Sequence, residues 1–262
     1  MYRNSGRLSE NHGKELRVLS PKETIKFLGS FYNVPKTTLS IEVVKICNLL
    51  CPGCWVDLGG IKSDTLIDMR LLEMIMKFGR NVGIDKVCFV GGEPTLHPQL
   101  SDIVKHAISL GYAGTSITTN GVFSPAKMQE LAKSGLNNIS FSIDGSSSEV
   151  HDKIRPSLSG KSMFNLTLNN FNKAISYSKE YGFEVRVNHT LFPSNFYDAE
   201  SMIKLVAGIG VKKIRIHFSF PGDQNRRSNS KCGDQHDYIP PNSWRQCQVF
   251  SVNCHQGFIL KG

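Results

Sequence analysis

Between residues 38 and 218 the sequence swings repeatedly between two hydrophobic periods, and that rhythm leaves few folds open. Short apolar runs over 38–46, 86–90, 114–119, 138–143, 184–191 and 213–218 have the length and composition of β-strands. Several stop at turn formers such as Asn120-Gly121 and Asp144-Gly145. Between them apolar residues recur at helical spacing: Ile67, Leu71, Leu72, Ile75 and Phe78, then Leu100, Ile103, Val104, Ala107 and Ile108. The same spacing returns at Phe164, Leu168, Phe171 and Ile175, and again at Met202, Leu205, Val206 and Ile209. A shorter helix is expected from Pro125 to Ser134. Strands alternating with helices in this way imply parallel strands joined by right-handed crossovers. Six such units suit an open barrel, so the expected architecture is α/β, a partial (β/α)6 TIM-like barrel.

The polar residues fall in a pattern that agrees with this arrangement. A loop of three cysteines, Cys47-Asn48-Leu49-Leu50-Cys51-Pro52-Gly53-Cys54, follows the first strand, and Gly91-Gly92-Glu93 follows the second. Thr118, Thr119 and Asn120 end the third strand, Ser142 and Asp144 close the fourth, and Asn188 lies in the C-terminal half of the fifth. In a parallel barrel these ends share one rim, where active sites are built. The thiols are spaced C-x3-C-x2-C. Structural zinc wants four protein ligands and would have to borrow His97 or Cys88. A cubane iron–sulfur cluster can be held by three cysteines, which leaves one iron open to a substrate.

The cysteine spacing, with Gly91-Gly92-Glu93-Pro94 about 40 residues further on, resembles the radical S-adenosylmethionine (SAM) superfamily, in particular its MoaA-like, peptide-modifying (SPASM/twitch-type) branch. The resemblance implies a [4Fe–4S] cluster on Cys47, Cys51 and Cys54, whose open iron chelates the methionine part of S-adenosyl-L-methionine. One electron then breaks the sulfonium–carbon bond, and the resulting 5′-deoxyadenosyl radical takes hydrogen from a substrate. It also implies the SAM contacts. Gly91 and Gly92 would let the backbone approach closely, and Glu93 would accept from the ammonium group. Thr118, Thr119 and Asn120 would contribute from the third strand, and Ser142 from the fourth. Arg155, in the stretch His151-Asp152-Lys153-Ile154-Arg155, would fork onto the SAM carboxylate, and Asn188 would face the adenosine portion. The bland readings are strand-end capping for the polar residues, a surface salt bridge for Arg155 and a structural role for His151. Cys88 reads as a small core hydrophobe. The family often places an aromatic residue just before the third cysteine; here that position is Gly53, with Trp55 close enough to substitute.

The remaining features bound the setting. Residues 1–36 read as a tail or cap, 37–220 as the barrel core and 221–262 as a C-terminal extension carrying Cys232, Cys247 and Cys254. The stretch 247–257 resembles the start of an auxiliary-cluster extension, but Gly262 stands where a further cysteine is usual, so a single cluster is expected. The first 17 residues are polar and lack an apolar h-region, and no run is long enough to span a membrane. A reducing cytoplasm is therefore the expected compartment, where clustered cysteines bind metal or do chemistry rather than form disulfides. The net charge of +9, with a modest cluster at Arg226, Arg227 and Lys231, would suit an acidic or phosphorylated partner. The expected substrate is a peptide or other natural-product precursor, with a nucleotide, cofactor or RNA substrate as the alternative. A non-catalytic zinc or redox module is the third reading. An electron donor such as flavodoxin or ferredoxin belongs with either enzymatic reading.

Overall fold

The computed structural model describes residues 38–52, 54, 65–218 and, for the backbone alone, 249–253. Parallel strands β1 (Thr38–Val44), β2 (Lys86–Gly91), β3 (Gly114–Thr119), β4 (Asn138–Ser142), β5 (Glu184–Leu191) and β6 (Lys213–Phe218) pair in sequence order. Between them run helices α1 (Met69–Asn81), α2 (Leu100–Ser109), α3 (Pro125–Ala132), α4 (Ser148–Ile154), α5 (Phe164–Tyr181) and α6 (Ala199–Ile209). A last strand, β7 (Val249–Asn253), pairs antiparallel with β6. The strand order starts at β1 and ends at β7, so the sheet is open, as a partial barrel requires.

Local chemistry sets the helix limits. The Asp68 carboxylate caps α1 by accepting from the Arg70 and Leu71 amides. Ser124 caps α3, with Pro125 in the first turn where a missing N–H costs nothing. Gly182 and Gly210 stop α5 and α6 in the left-handed conformation. Two elements were not expected. Helix α4 is only seven residues long, with Val150 and Ile154 as its apolar positions, too short for a period to declare itself. Strand β7 has the sequence VFSVN, which does not alternate cleanly.

The two faces of the sheet differ in kind. On the helix side Val87, Phe89, Ile117, Ile139, Phe141, Val185, Val187 and Ile214 join Leu72, Met76, Phe171 and Val206 in one apolar core. Phe141 meets Phe171 edge to face at 5.4 Å, a pairing worth about 0.5–1.5 kcal/mol beyond its burial. The opposite, inner face is built from the alternate residues, which strand register lines up in rows. One row runs Ser40, Cys88, Ser116, Asn138, Glu184; a step higher Glu42 pairs with Val90, and Thr118, Ser140, Arg186 and Lys213 line up across β3 to β6. Above these lie Ser142, Asn188 and Arg215, then Thr190 and His217. A closed TIM barrel fills its interior with branched apolar side chains; this inner wall is mostly polar. Among the described residues no helix is long and apolar enough to cross a membrane. The expectations for residues 1–36, Gly53, Trp55, Arg226, Arg227, Lys231, Cys232, Cys247, Cys254 and Gly262 lie outside the described residues.

Candidate active site

The cysteine loop is fastened to the C-terminal rim from three sides. The Gly92 and Glu93 amides donate to the Val44 and Ile46 carbonyls, both at 2.8 Å, and tie the loop stem to the end of β2. A Cβ on Gly91 would stand 2.3 Å from the Val44 carbonyl oxygen, and one on Gly92 would stand 2.2 Å from that of Ile46. The double glycine thus permits backbone to lie on backbone at the base of the loop. On the second side Asn48 donates to the Val122 carbonyl at 2.6 Å and accepts from the Asn120 amide group at 2.8 Å. On the third, Leu50 donates to the Pro156 carbonyl and Leu158 to that of Asn48. Leu49 is buried at the centre of these ties.

Glu93 joins the loop to β3. It is 1% exposed, and its carboxylate accepts from the Thr95 amide (3.0 Å) and the hydroxyls of Thr95 (2.6 Å) and Thr119 (2.7 Å). The second carboxylate oxygen accepts from the Asn120 amide at 2.7 Å. Asn120 in turn reaches Asn48 and approaches the Cys47 sulfur at 3.8 Å. The expectation had Glu93, Thr119 and Asn120 pointing toward ligand. In the structure these three bond to one another, because a buried carboxylate is costly unless donors surround it. Burial raises the Glu93 pKa, and the four donors oppose that rise.

Arg155 is neither exposed nor free. Its Nε donates to Asp144 at 2.6 Å, and an Nη approaches the Cys51 sulfur at 4.0 Å. Burial alone would lower the Arg155 pKa, but Asp144 and the neighbouring thiols outweigh it and the net shift is upward. The surface salt bridge is corrected to a buried pair, with Asp144 1% exposed. Asp144 also accepts from the Thr190 amide at 2.5 Å and donates its own amide to His151 at 3.2 Å. His151 is buried against Phe164, which agrees with a structural role. Asp144, read from the sequence only as a polar end of the fourth strand, and Asn48, read only as part of the cysteine loop, gain individual roles here. Both stand inside or beside motifs, which was the available signal.

The other expected residues look onto the inner wall. Thr118 faces Cys88, whose sulfur is 4.0 Å from its hydroxyl. Ser142 pairs in register with Asn188, and the Asn188 side-chain oxygen is buried with no hydrogen-bond partner among the described residues. Cys88 is half-buried on this wall rather than packed in the core.

Residues 41–206 match the Radical SAM superfamily. The chain belongs to that superfamily. Among curated relatives, a protein named "Probable GTP 3′,8-cyclase" from Saccharolobus islandicus (strain M.14.25 / Kamchatka #1) is 28% identical over 182 residues, 70% of this chain and 56% of the relative. One of the same name from Thermoplasma volcanium is 34% identical over 116 residues, 44% of this chain and 35% of the relative. The chain therefore spans about half the length of the curated relatives it matches. Two solved structures are similar in fold. Native anSMEcpe with bound AdoMet and Kp18Cys peptide has a TM-score of 0.57 at 21% identity, over 70% of this chain and 51% of that one. Streptococcus suis SuiB bound to precursor peptide SuiA has a TM-score of 0.57 at 18% identity, over 82% and 48%.

A radical SAM enzyme uses a [4Fe–4S] cluster and S-adenosylmethionine, and the rim of this one suits them. Cys47, Cys51 and Cys54 are free, half-buried thiols on one loop. Burial pushes the Cys47 thiol up to about 11, with Glu93, Cys51 and Cys54 adding to the rise. Burial raises Cys51 as well, against the opposing charge of Arg155. Thiolates here need a positive partner, and an iron–sulfur core supplies one. Among the described residues no three His, Cys, Asp or Glu side chains converge on a single ion. Of the two residues zinc would borrow, His97 accepts from the Gln99 amide at Nδ1, and Cys88 faces Thr118 on the inner wall.

Proposed function

We propose that this chain carries the catalytic barrel of a radical SAM enzyme whose substrate is a nucleotide or a nucleotide-derived cofactor precursor. The inner wall carries the substrate reading: Ser116, Thr118, Ser140, Ser142 and Asn188 offer polar groups, and Arg215 positive charge, below the cysteine loop. The curated relatives named as GTP 3′,8-cyclases point the same way. A peptide substrate, the first expectation, draws on the stretch from His151 to Arg155 and on Cys232, Cys247 and Cys254; likeness in fold to structures under 25% identical adds nothing on substrate.

Cys47, Cys51 and Cys54 would hold the [4Fe–4S] cluster. Cluster and SAM together supply one-electron cleavage of a sulfonium–carbon bond and, through it, hydrogen abstraction from the substrate. The protein's residues position and shield. Asp144 fixes the Arg155 guanidinium beside Cys51, from which its remaining N–H groups can meet the SAM carboxylate. Ser142, Asn188 and Thr118 offer hydrogen bonds across the mouth of the barrel. Gly91 and Gly92 set the loop close to the β2 end. Glu93, Thr119 and Asn120 act from behind it, as a brace. A flavodoxin or ferredoxin would deliver the electron.

The test is anaerobic reconstitution followed by assay of 5′-deoxyadenosine. The chain should take up about four irons and four sulfides, and GTP or a related nucleotide should stimulate SAM cleavage where peptides do not. Stimulation by peptides alone would reverse the substrate assignment. Cys51→Ala should lose both iron and SAM cleavage; a loaded, active Cys51→Ala protein would overturn the cluster assignment.

A further inference from the structure

Two groups on the inner wall are left wanting opposite partners. Three cations stand on its β5–β6 side, and two of them are already matched. Arg186 Nε donates to Glu184 at 2.7 Å, and Lys213 pairs with the same carboxylate at 2.7 Å. Arg215, one register step higher, has no hydrogen bond or ion pair with any described residue and is only half exposed. Its neighbour across the strand pair is Asn188, whose buried side-chain oxygen has no donor among the described residues. Asp144, just past the end of β4, is committed to Arg155 and to the Thr190 amide. His217, a further step up, has its pKa lowered by burial and then by the Arg215 charge. It therefore adds no second full charge at neutral pH. Among the described residues the wall presents one unmatched guanidinium beside one unmatched acceptor, with Ser142 in register alongside.

We infer that Arg215 and Asn188 form the substrate's anchoring pair: the guanidinium takes a phosphate oxygen, and the Asn188 carbonyl takes a hydroxyl or amino hydrogen of the same molecule. This rests on the nucleotide reading given above and narrows it. A guanidinium prefers oxyanions that accept two N–H bonds, which phosphates do. A half-buried site strengthens that attraction by excluding water. A nucleotide carries both partners, phosphate at one end and ribose hydroxyls or base amines at the other. The same oxyanion chemistry is present in the SAM carboxylate, so binding of SAM must be measured apart from binding of nucleotide.

The experiment compares the reconstituted parent chain with Arg215→Gln and Arg215→Lys, measuring affinity anaerobically for GTP, guanosine, tripolyphosphate and SAM. Arg215→Gln should weaken GTP and tripolyphosphate binding about ten- to a hundred-fold, the usual effect of losing a charged hydrogen bond. Guanosine and SAM affinities and iron content should stay within about two-fold of the parent, and Arg215→Lys should fall between, keeping charge without the fork. Equal GTP affinity in parent and Arg215→Gln would overturn the anchoring role and leave the nucleotide reading standing. A loss of SAM affinity alone would move Arg215 to the cofactor and overturn the inference. If tripolyphosphate binds the parent through Arg215 but no nucleoside improves on it, the anchor stands and the nucleotide reading falls. A parent that binds neither GTP nor tripolyphosphate would overturn both.

Discussion

Glu93 satisfies four donors and has almost no contact with solvent, so its removal should be felt first as lost stability. Each buried donor deprived of its acceptor costs about 1–3 kcal/mol. Glu93→Ala deprives several at once and should destabilise by about 3–5 kcal/mol, tempered where water enters the space. Glu93→Gln keeps one acceptor oxygen and should cost about 1–3 kcal/mol. Iron retention should fall with both, because the Asn120 amide held by Glu93 belongs to the residue that reaches Asn48 and Cys47. Thermal unfolding and iron content check this. Wild-type values for both, combined with weak SAM binding, would return Glu93 to direct contact with the ligand.

At the scale of elements, the cysteine loop and the end of β2 form one unit, and Gly92 is its hinge point. An alanine there meets the Ile46 carbonyl oxygen at 2.2 Å and its carbon at 2.6 Å, both backbone atoms that cannot swing aside. Gly92→Ala should cost about 2–4 kcal/mol and displace the loop, so iron content drops. Gly208→Ala, within α6 and with nothing inside 4 Å of its added methyl, is the control. It should be neutral or stabilising by up to about 1 kcal/mol, and equal behaviour of the two would remove the steric argument. The strand order was legible because periods of two and 3.6 alternate over long stretches, and the rim followed from where the strands stop. Roles within the rim were less so. A Glu followed by Thr, Thr and Asn on the next strand reads the same whether those groups face a ligand or one another. Arg155 and Asp144 stood 11 residues apart in plain view. Only the turn into α4, a helix too short to show a period, reveals that they meet. Arg215 reads as one more exposed cation until register sets it beside Asn188 and Glu184 is seen to be shared by its neighbours.

For the molecule as a whole, acid stability should hinge on His151. The ring is buried, packs 5.4 Å from Phe164 and accepts the Asp144 amide, so it is held neutral. Burial chiefly, then the Arg155 charge, lowers its pKa to about 4, against the opposing pull of Asp144 and Asp152. In the unfolded chain the ring titrates near 6.5, at its ordinary value. Above that pH both states carry a neutral ring and its contribution is complete. As pH falls from 6.5 toward 4 the unfolded chain takes a proton that the fold refuses, and stability drops by about 1.4 kcal/mol per pH unit. Glu93, whose pKa burial raises, works in the opposite sense, so the comparison must be between parent and variant. His151→Gln keeps an acceptor for the Asp144 amide without a titrating ring. Between pH 6.5 and 5 the parent should lose about 2 kcal/mol more than this variant in anaerobic chemical denaturation. Because His151 supports Asp144, and Asp144 holds Arg155 against Cys51, acid should loosen the cysteine loop together with the fold. Parallel losses in parent and variant would show that the acid-sensitive group lies elsewhere.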